Sequence, residues 1–242
     1  MQILIGVGIG PGDPELVTLK AIRVLESADV IFVPVMDLAE QGRAEATVRA
    51  HLMSSDRIRR LVFALNERED HSRREAAWDA AAEVIVASFR EGVEVVAFAT
   101  IGDPNIYSTF TYLAQTLLSL LPEVQVQTVP GITAMQALAA ISGTVLCEGK
   151  ESLMLLPLTS GVEAFDAALT TADTVVAYKG GAYLAEISSS LKEHNRIEEA
   201  IFGAALGLAD QQVGPLAQIT APAPYLSTVI VPPKRTTRGG RL

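Results

Sequence analysis

Short apolar runs rich in β-branched residues alternate along this chain with stretches whose apolar residues recur every three to four positions. That alternation predicts an α/β fold. Residues 3–7 read as the first strand, and a helix from about Thr18 carries Ala21, Val24, Leu25 and Ala28 on one face. Residues 30–33 read as a second strand, 44–53 as a helix and 61–64 as a third strand. The longest helix spans about 72–90 and stops at Glu91-Gly92. Residues 93–99 are apolar apart from Glu94, as a strand buried on both faces of a parallel sheet requires. A helix over 108–120 and a strand over 124–129 complete the first half.

The second half begins near Pro130-Gly131, with a helix over 134–141, strands at 153–156 and 174–177, and a helix over 182–192. The later strands, 201–206 and 226–231, have no long helix between them, which predicts a mixed second sheet. The expected organisation is an α/β domain over 1–130, a second α/β domain over 131–231, and a basic flexible tail over 232–242.

Composition narrows the function classes. The chain has 242 residues, 49% hydrophobic and 19% charged, with a formal net charge of −9. A broad nucleic-acid surface needs a basic footprint, so that partner is not expected. With one cysteine, Cys147, there is no intramolecular disulfide and no cysteine-rich metal site. His51, His71 and His194 lack ligand spacing, so no metal is expected. The first apolar run has no basic residue before it and breaks on glycines, which reads as strand and loop rather than a signal peptide. No stretch of about 18 apolar residues is free of charges or breakers, so the expected setting is cytoplasmic, away from membranes.

The first strand runs into Gly6-Val7-Gly8-Ile9-Gly10-Pro11-Gly12-Asp13-Pro14. A G-x-G-x-x-G dinucleotide loop would need glycine at Pro11 or Asp13. The second strand also ends at Val33-Pro34 without an acidic residue to hold a ribose, Asp37 coming three residues late. Two further loops share this chemistry: Thr100-Ile101-Gly102-Asp103-Pro104-Asn105-Ile106-Tyr107-Ser108-Thr109, and Val129-Pro130-Gly131-Ile132-Thr133-Ala134. Loops at the carboxyl ends of parallel strands converge where α/β proteins bind ligands. Three of them, rich in Gly, Pro, Asp and Ser/Thr, predict a crevice for a small polar molecule.

Taken together, and with Glu15-Leu16-Val17-Thr18-Leu19-Lys20-Ala21 and Ala28-Asp29-Val30, these loops resemble the tetrapyrrole (corrin/porphyrin) methylase family. The resemblance covers about residues 3–231. It implies two α/β domains with S-adenosylmethionine, the methyl donor, bound in the cleft between them. It places Pro11, Gly102, Asp103, Ile106, Thr133 and Ala134 at the donor, with Lys179 and Leu206 from the second half. The chain departs from the family at two of these points: relatives often have methionine at or beside Lys179, and often arginine where Ala205 stands. A homodimer is also implied.

Within the family, the run from Glu75 to Glu83, with Trp78, and the segments Tyr107-Ser108-Thr109-Phe110 and Tyr225-Leu226-Ser227-Thr228-Val229 are similar to the group that methylates carbon 20 of precorrin-2. Members acting on uroporphyrinogen III have aspartate at the place of Pro34. The expected activity is therefore methyl transfer to precorrin-2 in cobalamin biosynthesis. The alternatives are another corrin-pathway carbon, the cobalt-containing substrate, or a non-catalytic binding protein. Displacement at a sulfonium needs positioning rather than a strong base, so no catalytic triad is expected. Asp103 is the candidate polar anchor of the donor, and Tyr107 and Ser108 line the boundary with the acceptor. The acceptor carries many carboxylates, which calls for arginines; Arg43 and Arg68 are the leading candidates, with Arg49, Arg73 and Arg74 beside them.

Overall fold

A computed structural model describes residues 1–63, 71–219, 223–224 and 226–235, His71 by its backbone only. The chain divides into two compact units, Met1–Thr133 and Ala134–Leu242.

The first unit holds a parallel sheet in the order β3-β2-β4-β1-β5, built from β1 (Ile3–Gly8), β2 (Val30–Val35), β3 (Ile58–Val62), β4 (Val95–Thr100) and β5 (Gln125–Val129). Helices α1 (Leu19–Ser27) and α2 (Arg43–Arg49) cover one face, where Val7, Leu25, Ile31, Val48 and Ala97 are buried together. Helices α3 (His71–Arg90) and α4 (Phe110–Leu120) cover the other, around Leu4, Phe32, Phe98, Phe110 and Leu113. Alternate residues of each central strand enter opposite cores, which is why these strands read as unbroken apolar runs.

Several boundaries differ from the sequence expectation, each for a local reason. Strand β2 runs on through Pro34, which lacks a backbone donor. Its ladder to β4 stops at Phe32, whereas pairing with β3 continues to Val35. Ile31 N and Val35 O bond on the β3 side, so alternation turns the Pro34 amide toward the side where no ladder remains. Strand β3 lies earlier than expected and includes Arg59 and Arg60. As the edge strand it tolerates these polar positions; Ala64, expected as its last residue, falls outside the described residues. Helix α2 ends early because His51 N bonds back to Val48 O and His51 Nε2 donates to the Pro14 carbonyl (2.9 Å).

The second unit holds a mixed sheet in the order β6-β7-β10-β8-β9. Its strands are β6 (Leu153–Pro157), β7 (Thr174–Tyr178), β8 (Ile201–Ala204), β9 (Gln212–Pro215) and β10 (Ser227–Val231), with only the β6–β7 pair parallel. Helices α6 (Glu163–Thr171) and α7 (Leu184–Glu193) bury Phe165, Leu169, Ile187 and Leu191 against one face, and α5 (Ala134–Ser142) packs on the other. Neither α6 nor β9 was expected. The first is nine residues long, and the second is four residues containing Gly214 and Pro215. Within the expected tail, Arg235 is not a loose end: it makes a two-pronged contact with Glu151 and donates to Val145 O (2.9 Å).

One ion-pair cluster fixes the edge of the first sheet. Glu45 of α2, 1% exposed, accepts from Arg49 (2.7 Å) on its own helix and from Arg60 of β3 (2.7 Å). A buried carboxylate is tolerated only when paired in this way. The hydrogen bond from Arg60 holds the Glu45 carboxyl below the usual glutamate range, desolvation opposing it in part. A pKa lower in the folded than in the unfolded state adds stability that is full above the ordinary glutamate value and is lost as pH falls through the lowered one. Thermal unfolding followed by circular dichroism from pH 7 to pH 3 should therefore show a steeper acid-side loss for the native chain than for Glu45→Gln. The substituted protein should be the less stable of the two at pH 7.

Candidate functional site

The site is best built from three glycines. Strands β4, β1 and β5 are neighbours, so the loops leaving their carboxyl ends open side by side. Gly10 and Gly102 form an isolated antiparallel bridge, with Gly102 N donating to Gly10 O (2.7 Å). Both have left-handed backbones, φ 77° and 72°, which glycine adopts without steric cost. A Cβ on Gly8 would lie 2.6 Å from Gly131 N and 2.7 Å from Gly102 O. A Cβ on Gly131 would overlap the Gly102 carbonyl oxygen. The three backbones thus meet, and a side chain at Gly8 or Gly131 would push them apart, whereas at Gly102 it is the left-handed φ that calls for glycine.

Asp103 locks this arrangement. Its carboxylate, on a residue 9% exposed, accepts from Asn105 N (2.8 Å) and, through the other oxygen, from Gly131 N (3.0 Å). The first bond closes an Asx turn, and the second ties the β4 loop to the β5 loop. Asn105 adds a third tie by donating from Nδ2 to Thr128 Oγ1 (3.2 Å). A carboxylate offers about four lone-pair positions; two are engaged here, so Asp103 retains acceptor capacity.

The remaining expected residues fall into distinct situations. Pro11, Gly102 and Ile106 are half-buried on the same loops, Thr133 is buried, and Ala134 opens α5. Ser108 is buried, with Oγ 3.0 Å from Thr100 Oγ1 and accepting from Phe110 N (3.1 Å). Its hydroxyl therefore braces the loop at the start of α4. Tyr107 is 43% exposed and adopts φ 49°, a left-handed conformation that is strained for a bulky residue. Partial desolvation pushes its phenol up.

The second unit places its own candidates at strand ends. Lys179 follows β7 with φ 62°, its N–H donating to Ser227 O (3.1 Å), and burial pushes its ammonium down. Ala205, after β8, has φ 51°, and Leu206 beside it is buried. Sequence reasoning missed Tyr178, whose hydroxyl accepts from Met135 N (2.9 Å) in the first turn of α5. A tyrosine closing an apolar strand just before Gly180-Gly181 was the available signal.

The candidate arginines also separate. Arg43 is exposed on α2, Arg49 is committed to Glu45, and Arg68 lies outside the described residues. Arg73 and Arg74 sit in the first turn of α3. Among the described residues, no group of three or more His, Cys, Asp and Glu is placed to hold a metal ion, and no helix is long and apolar enough to cross a membrane.

Comparison with known proteins follows the same lines. The chain is 30% identical over 235 residues to a precorrin-2 C20-methyltransferase of Sinorhizobium sp, covering 95% of this chain and 94% of that protein. It is 29% identical over 231 residues to a cobalt-precorrin-2 C20-methyltransferase of Salmonella typhimurium LT2, covering 94% and 95%. The fold is similar to the crystal structure of a uroporphyrin-III C-methyltransferase of Thermus thermophilus complexed with S-adenosylhomocysteine, with a TM-score of 0.65. That likeness covers 94% of this chain and 96% of the other at 20% identity. The profile of the tetrapyrrole (corrin/porphyrin) methylases matches residues 3–220, and the chain belongs to that family.

Proposed function

We propose that the chain transfers the methyl group of S-adenosylmethionine to carbon 20 of precorrin-2 in cobalamin biosynthesis, acting as a cytoplasmic homodimer. The observation that carries this reading is the full-length likeness to the Sinorhizobium enzyme of that name. A second reading, the cobalt-containing form of the same acceptor, is favoured by the comparably complete likeness to the Salmonella enzyme.

The glycine crevice suits such a donor. The three loops meet closely because Gly8 and Gly131 carry no Cβ, and Asp103 has lone pairs left for a hydroxyl or amino group. We assign Pro11, Gly102, Asp103, Ile106, Thr133 and Ala134 to donor binding, and Lys179 and Leu206 as well. When bound, S-adenosylmethionine supplies a methyl group on a sulfonium, a strong leaving group. What the chain adds is alignment, and holding the acceptor carbon in line with the methyl contributes roughly 7–11 kcal/mol. Asp103 fixes the β4 and β5 loops against each other and so sets the position of whatever they hold. Tyr107, 43% exposed, lines the acceptor side together with Ser108, whose hydroxyl braces the loop. The proton displaced from the acceptor carbon passes to water or to an acceptor carboxylate. At Pro34 the strand offers neither a side-chain acceptor nor a backbone donor, so an acceptor needing an acidic contact there is not served.

Incubation of the purified protein with each tetrapyrrole and methyl-labelled donor, anaerobically, should place the label at carbon 20 of precorrin-2 by carbon NMR. Label at carbons 2 and 7 of uroporphyrinogen III would overturn the assignment, and a preference for the cobalt-containing acceptor would select the second reading. Calorimetry should show donor binding without added metal. Asp103→Ala should weaken that binding by about 1–3 kcal/mol; unchanged affinity in the folded variant would confine Asp103 to loop bracing. Sedimentation at micromolar concentration should give a dimer, and a monomer would remove that part of the proposal.

A further inference from the structure

Partly buried arginines normally bond to something, because a guanidinium taken from water loses solvation that only new hydrogen bonds restore. Among the described residues, four obey the rule. Arg57 donates to the Glu26 and Ala28 carbonyls, Arg60 to Glu45, Arg196 to the Asp173 and Val231 carbonyls, and Arg235 to Glu151. Arg74 does not. It is half-buried, and its Nε is fully buried with no hydrogen-bond partner.

Its position gives that exception a meaning. Arg74 lies in the first turn of α3, which the chain reaches from the carboxyl end of β3. In a parallel sheet all such helix starts share one edge, so Arg74 stands at the edge where the Gly8, Gly102 and Gly131 loops open. One turn further along α3, Trp78 stacks on Tyr112 of α4, ring centroids 4.3 Å apart and planes within 7°. That stack ties the start of α3 to the start of α4 and holds the arginine's helix in place.

We propose that Arg74 is an acceptor-binding residue, its guanidinium taking a carboxylate of the tetrapyrrole. The inference rests on the proposed reaction for its ligand, and on the unpartnered Nε for its residue. An arginine fork meets a carboxylate with two parallel hydrogen bonds, which a lysine cannot reproduce. A residue placed for a ligand is also one the empty fold does not need.

The test uses this last point. Arg74→Gln should raise the KM for precorrin-2 by about ten- to hundredfold and leave the KM for S-adenosylmethionine unchanged, with Arg74→Lys falling between. Arg74→Met should melt at the same temperature as the native chain or higher, while losing the acceptor equally. Absorbance titration with precorrin-2 in its oxidised, coloured form reads binding without turnover. If the native chain methylates precorrin-2 and Arg74→Gln keeps its KM, or if Arg74→Met melts lower, the inference falls and the reaction stands. If the native chain binds the acceptor without methylating it and Arg74→Gln abolishes binding, the reaction falls and the inference stands. A native chain that neither binds nor methylates it overturns both.

Discussion

Contact between the backbones of Gly8, Gly102 and Gly131 is the constraint on which the rest of the first unit depends. Three adjacent parallel strands normally end in loops that diverge, because side chains keep neighbouring chains apart. Here the missing Cβ atoms of Gly8 and Gly131 let the three loops close on one another. The closure is then held by polar atoms rather than by apolar burial. Gly102 N reaches Gly10 O, and Asp103 reaches both Asn105 and Gly131. A carboxylate fits that task because it accepts from two amides at once and has lone pairs left over. Structural bracing and ligand contact are therefore compatible at Asp103.

Strain accumulates around the candidate site residues. Left-handed backbone at a non-glycine residue costs of order 1–3 kcal/mol and persists only where surrounding structure imposes it. Asn195, just past the end of α7, is an ordinary case, since asparagine tolerates this region and often ends helices there. Tyr107, Lys179 and Ala205 are not ordinary. Lys179 and Ala205 directly follow strand ends and Tyr107 lies in the loop between β4 and α4, and each lies among or beside the residues that the sequence resemblance assigns to ligands. Lys179 and Ala205 are also the points where the resemblance implies a departure from the family's side chains.

Much of this was legible in the sequence, and what was not had a common cause. Long apolar runs gave β1, β4 and β7, and helical spacing gave α1, α3 and α7, because burial acts on each segment by itself. The loops after β1, β4 and β5 could be grouped because parallel strands put their ends on one edge. The elements that escaped were short or marked by exceptions: α6, β9 with its glycine and proline, and the last two residues of β2, Pro34 and Val35. Long-range partners escaped too. Sequence spacing shows that Asp103 precedes a proline and so caps a turn, but nothing local shows that Gly131, 28 residues on, donates to it. The same holds for Tyr178 and Met135, 43 residues apart.

Charge supplies the last step. A chain with a net charge of −9 must bind a polycarboxylate against its own field, and long-range attraction cannot help. Local cations have to do it, and among the described residues several arginines are already spoken for. Arg49 and Arg60 neutralise buried Glu45, Arg235 neutralises Glu151, and Arg57 and Arg196 satisfy backbone carbonyls. These bonds hold α2 to β3 and the end of the chain to the loop before β6. Moving any of them to a ligand would leave a buried acid or carbonyl without a partner. On the proposed reading, recognition of the acceptor falls to the cations the fold leaves over, and a half-buried guanidinium with an unsatisfied Nε is better prepared for it than one spread in water. Its partial burial lowers the local dielectric and strengthens the eventual ion pair.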